Sequence, residues 1–295
     1  MKPSRMNSAA LLESPAKKMG KGTLNVVRYV LLSLLGLFFA FPAIYMIICS
    51  FLTRDAAVSP ETVIPRPSDF SLEAYQKVFE DVGLIDGLGN TLIVAALNIA
   101  GVVIAATFCA YGLTKVYFKG QKAMFAIILG TVFLPGTVTS IPLFTIYSKL
   151  GWVDTLLPLW LPIWFGGGAM NIFLIRQFMR GIPKSYTEAA TIDGANSFQI
   201  LLTVIVPLLK PILLYLAITT FIGCWNDYSG PLMYLTGGDI KTLALQLFET
   251  FRDDESFELN AQMAVGVLMM IPIAVLFGFF QNELTEGVAN VGLKV

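Results

Sequence analysis

The sequence predicts an all-α polytopic membrane protein with six transmembrane helices. Three observations carry that expectation. The 295-residue chain is 56% hydrophobic and only 14% charged, with mean hydropathy +0.71, where a soluble domain carries about 25% charged residues. Its charges are clustered, which leaves uncharged runs over 29–53, 87–114, 123–148, 155–175, 211–226 and 259–282. Lys and Arg are divided unequally between the segments that join these runs. A bilayer core about 30 Å thick takes about 20 helical residues, and five of the runs exceed that length. The run 211–226 has 16 residues and spans only if Asp227 sits near the helix end. Backbone polar groups in lipid must be satisfied internally, and these runs lack the alternation of barrel strands, so they are helices.

Orientation follows from the basic residues. With the N-terminus inside, the inner segments hold 14 of the 20 Lys and Arg: six before helix 1, three in 115–122, four in 176–210 and one in the C-terminal tail. The positive-inside rule then puts both termini in the cytoplasm. Acidic residues gather outside, in 53–86 and 229–258.

Residues 1–25 are polar and read as a cytoplasmic disordered tail. Residues 26–295 read as one transmembrane domain. The first apolar run is too long for a signal-peptide core and lacks a small-residue cleavage site, so it is a retained anchor. In the outer loop 53–86, Ser71 is an N-cap candidate. Leu72, Tyr75, Val78 and Phe79 form an apolar stripe at helical spacing, which predicts a short helix lying on the membrane surface. Short connections at 115–122 and 149–154 make helices 2–3 and 3–4 antiparallel hairpins. Pro135 and Pro142 in helix 3, Pro158 and Pro162 in helix 4 and Pro272 in helix 6 predict kinks. Gly166-Gly167-Gly168 in helix 4 predicts close helix packing or local unwinding.

Between helices 4 and 5 lies a polar break on the basic side. Ser185-Tyr186-Thr187-Glu188 has the form of a capping box, in which Glu188 reaches back to the Ser185 amide. Gly194 is a natural C-terminal stop, and Asn196-Ser197-Phe198-Gln199 opens the next helix with a related cap. A helix of about two turns is unstable alone in water. It must pack on something, and the small Ala189 and Ala190 allow a partner to approach closely.

Cys49, Cys109 and Cys224 all fall in apolar runs and read as packing residues. There is no histidine, which excludes His-based acid/base catalysis and most zinc-site layouts. Polar residues inside apolar spans usually face the bundle interior. Asn98, Asn171, Trp225, Asn226, Asp227, Tyr228 and Gln262 are therefore the substrate-path candidates, and the same residues also suit interhelical glue or an interfacial belt. Asp227 lies 17 residues after Lys210. At 1.5 Å per residue that is about 25 Å, which places it near the outer edge of the bilayer core.

The break also carries a family resemblance. Glu188-Ala189-Ala190, three residues, Gly194, nine residues and then Val204-Ile205-Val206-Pro207 resembles the EAA signature of binding-protein-dependent ABC importer permeases. That signature reads EAA-x3-G-x9-I-x-L-P, and Val204 and Val206 depart from it conservatively. Phe70–Val94 is similar to the segment before helix 2 in carbohydrate permeases of the maltose type. Trp225-Asn226-Asp227-Tyr228 with Pro231-Leu232, and the tail from Gln281 to Lys294, resemble further stretches of that branch. Gly292-Leu293-Lys294 departs from its usual small residue before the Lys. The resemblance covers roughly residues 25–295 and fits the shorter, six-helix permease subunit best.

It implies a permease for a carbohydrate in a bacterial or archaeal cell membrane. The implied partners are a homologous second permease, two ATPase subunits and an extracytoplasmic solute-binding protein. Glu188, Ala189, Ala190, Asp193, Gly194 and Pro207 would form the ATPase-coupling contact. ATP and Mg would then bind in the partner ATPase, and no cofactor in this chain. A P-loop needs G-x4-G-K-[S/T], and the one Gly-Lys pair, Gly20-Lys21, is followed by Gly22. Nothing points to nucleic acid or to an enzyme. The alternatives are a secondary, ion-coupled transporter, an ABC permease for a non-sugar solute and an intramembrane enzyme. A secondary transporter usually needs more helices, a repeat and buried ion-coupling residues.

Overall fold

The computed structural model describes residues 21–59, 65–81, 84–250 and 258–292. The uncharged runs are largely helical. α1 is Lys21–Ser50 and is followed by a short α2, Arg54–Val58. A 3-10 turn at Pro67–Asp69 leads to α3, Glu73–Asp81. The second span comprises α4, Leu84–Gly101, a π-turn over Val102–Ala106 and α5, Thr107–Gly112. α6, Gln121–Thr131, and α7, Gly136–Lys149, form the third. The fourth begins with α8, Leu157–Trp160, passes through a 3-10 turn at Leu161–Phe165 and ends in α9, Ala169–Arg180. Then come α10, Lys184–Ile192, α11, Ser197–Ile200, a π-turn over Leu201–Ile205 and α12, Val206–Leu208. α13, Lys210–Asn226, α14, Ser229–Tyr234, α15, Leu243–Thr250, and α16, Leu259–Gly292, complete the chain.

Among the described residues four segments are long and apolar enough to cross a membrane: Asn25–Ser50, Ile85–Gly112, Leu157–Arg180 and Leu259–Gln281. Two more are helix pairs bent at a break, Gln121–Thr131 with Gly136–Lys149 at 96° and Ser197–Leu208 with Lys210–Asn226 at 75°. Counting each bent pair as one span gives the expected six.

The prolines act in more than one way. Pro135 sits at the 96° bend of helix 3 and divides it, because its extended backbone (φ −61°, ψ 133°) forms the N-cap of α7. Pro158 and Pro162 occupy first-turn positions, where the missing amide costs nothing. In α16 the non-helical residue is Phe280, not Pro272. The bend before α13 has a local cause. Pro211 supplies no amide to the Pro207 carbonyl, and Pro207 supplies none to Thr203. The chain loosens into a π-turn upstream and restarts at Lys210.

The glycine triplet does what its composition suggests. Gly166, Gly167 and Gly168 have φ of +146°, +79° and +86° and unwind the fourth span. A Cβ on Gly167 would overlap the backbone of Ala106 in the facing π-turn, so only glycine permits this approach.

Below α10 the core joins three spans. Val102, Ala106 and Ala110 pack with Ile172, Ile175 and Met179 of α9 and with Ile205, Leu209, Ile212 and Leu216. Each set recurs at three- or four-residue spacing, one stripe per helix. At the opposite end Ala74 and Val78 of α3 pack with Trp225, Leu243, Leu247, Ala261 and Ala264. This corrects the expected α3 stripe. Ala74 and Val78 are buried and Tyr75 partly so, whereas Leu72 and Phe79 are exposed. Ser71 Oγ does accept the Glu73 amide, at 3.1 Å.

That far end is tied by side chains distant in sequence. Glu258 Oε1 pairs with Lys77 at 2.7 Å and Arg54 at 3.5 Å. The buried Asn260 donates to the Leu52 carbonyl at 3.1 Å, and Ser50 Oγ meets Tyr75 Oη at 2.9 Å. Asp154, with φ +61°, accepts from Gly237 N at 2.5 Å and from the Thr236 hydroxyl at 3.1 Å. The acidic triplet Asp253-Asp254-Glu255 and residues 1–20 lie outside the described residues.

Candidate functional site

α10 starts differently from the sequence expectation. The capping box at Ser185 does not form. Pro183 (φ −56°, ψ 140°) is the N-cap and no side chain caps the helix. Its non-helical ψ lets the helix begin at Lys184, which places Ser185 inside the first turn. The Thr187 hydroxyl instead bonds back to the Lys184 carbonyl at 2.8 Å.

The other end of α10 is as expected, in more detail. Gly194 has φ +82°. The Gly194 amide donates to the Thr191 carbonyl at 3.1 Å and the Ala195 amide to the Ala190 carbonyl at 3.0 Å. Together these bonds are a Schellman stop. Its small apolar pair, Ala190 and Ala195, packs on the core below. Two residues later Asn196 Oδ1 accepts the Gln199 amide at 2.9 Å, and Gln199 Oε1 accepts the Asn196 amide at 2.9 Å. This second capping box starts α11 at Ser197. Phe198 stacks on Phe108 at 6.1 Å between centroids, and the Tyr111 hydroxyl donates to the Ser197 carbonyl at 3.0 Å. The helix–glycine–helix corner is thus fixed to the second span.

Five of the six coupling candidates are exposed. Glu188, Ala189, Asp193, Gly194 and Pro207 are exposed, and Ala190 faces inward. Sequence reading missed the apolar side chains around them. Tyr186 and Phe198 are more than half exposed and Ile192 is 86% exposed. A cleft of about 600 Å³ runs between α10, α11 and the end of α5, lined by Tyr111, Lys115, Glu188, Ile192, Ser197 and Ile200. Among the described residues no carboxylate lies within ion-pair distance of Lys115, and no cation within that distance of Glu188. An exposed, rigidly capped corner that carries apolar and charged groups without internal partners is suited to receive another protein.

The substrate-path candidates do not converge on one cavity among the described residues. Asn98 donates to the Val94 and Leu159 carbonyls, both at 2.9 Å, and ties α4 to α8. Asn171 donates to the Gly167 carbonyl at 2.8 Å. Trp225 is buried, stacks on Phe221 and donates from Nε1 to the Met269 carbonyl at 3.0 Å. Asn226 donates to the Ile222 carbonyl at 3.0 Å. Asp227 closes α13, and its Oδ1 accepts the Gly230 amide at 3.0 Å. Tyr228 lies against Phe248, 4.2 Å between centroids. Gln262 is half-buried on α16.

Comparison with known proteins agrees with this architecture. Residues 98–289 match the family described as the binding-protein-dependent transport system inner membrane component. The chain is 28% identical over 256 residues to the arabinooligosaccharides transport system permease protein AraQ of Halalkalibacterium halodurans, covering 86% of this chain and 91% of that protein. It is 28% identical over 278 residues to the trehalose/maltose transport system permease protein MalG of Thermococcus litoralis, covering 93% and 97%. A chain of a bacterial ABC transporter involved in the import of the acidic polysaccharide alginate superimposes with TM-score 0.77 at 26% identity, covering 90% of this chain and 98% of that one. A second solved chain shares the fold, with TM-score 0.59 at 16% identity over 86% of this chain and 92% of that one. It comes from a bacterial alginate ABC transporter in complex with an alginate pentasaccharide-bound periplasmic protein. With 192 matched residues in a chain of 295, the protein belongs to the inner membrane component family of binding-protein-dependent transport systems.

Proposed function

We propose that this chain is the permease subunit of an ATP-driven importer for a carbohydrate, with α10 as its coupling contact to a separate ATPase subunit. The observation that carries the coupling role is the α10–Gly194–α11 corner. It is rigidly stopped and capped, fastened to the second span and exposed on its outer face. Such a corner transmits motion as a rigid body. ATP-dependent closure of the ATPases would move it, and two homologous permeases would rock between inward- and outward-facing states. Moving a two-state equilibrium from 1:99 to 99:1 takes about 5.5 kcal/mol of differential binding, which nucleotide-driven association of a partner supplies. The carbohydrate rests on the oligosaccharide and trehalose/maltose permeases to which the chain is similar. An external solute-binding protein is supported by the periplasmic partner of the alginate transporter.

The basic residues set the orientation in this reading: the α10 end and both termini in the cytoplasm of a bacterial or archaeal cell. Asp227 serves as a turn cap on α14 at the other end, which favours ATP-driven over ion-coupled transport.

Gly194→Ile tests the coupling role. The left-handed backbone strains a β-branched residue, although the space beside Gly194 is open. The variant should insert into the membrane normally and recover less ATPase subunit in a pull-down. Wild-type recovery together with normal uptake would refute the coupling role.

A further inference from the structure

The basic side chains at the α10 end fall into two neighbouring pairs, Arg176 with Arg180 on α9 and Lys115 with Lys184, linked by the bond from Arg176 to the carbonyl of Leu113, two residues before Lys115. Arg176 Nε donates to the Leu113 carbonyl at 3.2 Å, and its guanidinium lies 3.8 Å from the centroid of the Phe125 ring. Arg180 lies one helical turn along on the same face of α9. The loop after Leu113 carries Lys115. It is held by Gln121, whose Nε2 donates to the Val116 carbonyl at 3.0 Å. Lys115 is half-buried beside Lys184, and burial followed by that neighbouring charge pushes its ammonium below the ordinary lysine value. Two cations held together without a carboxylate repel each other. Among the described residues none of the four is in an ion pair. Glu188 shares the cleft with Lys115 and makes no ion pair with it.

The depth of the group selects its counter-ion. Two apolar spans, Ile85–Gly112 and Leu157–Arg180, end where these cations stand. Side chains within a turn or so of a span's end lie at the level of the lipid headgroups. Basic pockets between helices at that level attract anionic headgroups. The Arg176 guanidinium rests on an aromatic ring of α6, so the group extends from the span into the interface.

We propose that Arg176, Arg180, Lys115 and Lys184 form a binding site for the phosphate of an anionic phospholipid at the foot of α10. Lys184 is the first residue of α10 and Lys115 lines the cleft beside it, so an occupied site holds the first turn of α10 at the interface. Lipid charge then sets the stance of the corner. The site depends neither on the solute carried nor on the ATPase.

The test measures the affinity of the purified full-length protein, in neutral detergent, for a fluorescent phosphatidylglycerol and its phosphatidylcholine analogue. The wild type should prefer phosphatidylglycerol. The Lys115→Gln/Lys184→Gln variant should bind it about thirtyfold more weakly, as expected for two cations removed from an anionic surface. Lys115→Arg/Lys184→Arg keeps the charge and should stay within about twofold of the wild type. Lys119→Gln/Lys122→Gln removes two cations outside the group and should do the same. Equal affinity in the wild type and the double Gln variant would overturn the site. Displacement of the lipid by inorganic phosphate or glycerol phosphate at matched concentration would assign it to a soluble anion and overturn the lipid. So would loss of ATPase binding in the Gln variant with phosphatidylglycerol affinity intact, which would give the cations to a protein partner.

Discussion

The two ends of the bundle satisfy their polar groups in opposite ways. At the far end the connections are long-range and made by side chains. Glu258 gathers Lys77 and Arg54, Asn260 reaches Leu52 and Asp154 holds the turn at Gly237. At the α10 end most bonds are local: a Schellman stop at Gly194 and a capping box at Asn196, with two longer tethers from Tyr111 and Arg176. Lys115, Arg176, Arg180 and Lys184 there have no described ion pair, and Ile192, Tyr186 and Phe198 stand in the open. An end that satisfies itself is a clasp, whereas one that keeps its shape and leaves its charges and apolar groups unmatched is a surface prepared for something else. Neither composition nor net charge distinguishes the two, because the opposite charges of the chain cancel to zero.

The comparison breaks first, and by the largest amount, if the far end tolerates loss of its anchor. Trp225 is 3% exposed, stacked and hydrogen-bonded. Trp225→Ala should cost about 3 kcal/mol, read as a lower melting temperature of the purified protein. A stable variant with altered solute affinity would instead return Trp225 to the substrate path. Next, Glu258→Gln leaves Lys77 and Arg54 without a carboxylate. The Glu258 side chain is only 12% exposed, so about 2 kcal/mol of stability should be lost. The smallest effect belongs to the α10 end. Asn196→Ala removes a local cap, worth about 1 kcal/mol. It should leave the melting temperature nearly unchanged while hydrogen exchange of the α11 amides rises several-fold. A large global destabilisation there would show that the corner is part of the clasp.

Much of this was readable in the sequence because it is local. Six uncharged runs, a glycine at the left-handed position and an Asn–Gln pair three residues apart each act through their own neighbourhood. The rest depends on what lies opposite. Ser185 failed as a cap because Pro183, two residues earlier, already supplies the non-helical backbone. The α3 stripe turned because small Ala74 fits beneath Trp225 and α16 where Leu72 and Phe79 do not. The π-turn at Val102–Ala106 is matched by the glycine approach from the fourth span, and no local pattern announces it. The exposed Ile192 is invisible to pattern reading for the same reason. An apolar residue in an apolar chain becomes informative only when nothing covers it.

The central claim is that the α10 face lies inside the cell and is covered only by a partner. The direct measurement is labelling of Ile192→Cys with a membrane-impermeant maleimide, beside Ser68→Cys at the far end, with the native cysteines replaced. In intact cells or spheroplasts Ser68→Cys should label and Ile192→Cys should not. In inverted vesicles Ile192→Cys should label at least tenfold faster when the ATPase subunit is stripped than when it is present, with Ser68→Cys unlabelled in both. Labelling of Ile192→Cys from outside, or at one rate with and without the ATPase, would contradict the account.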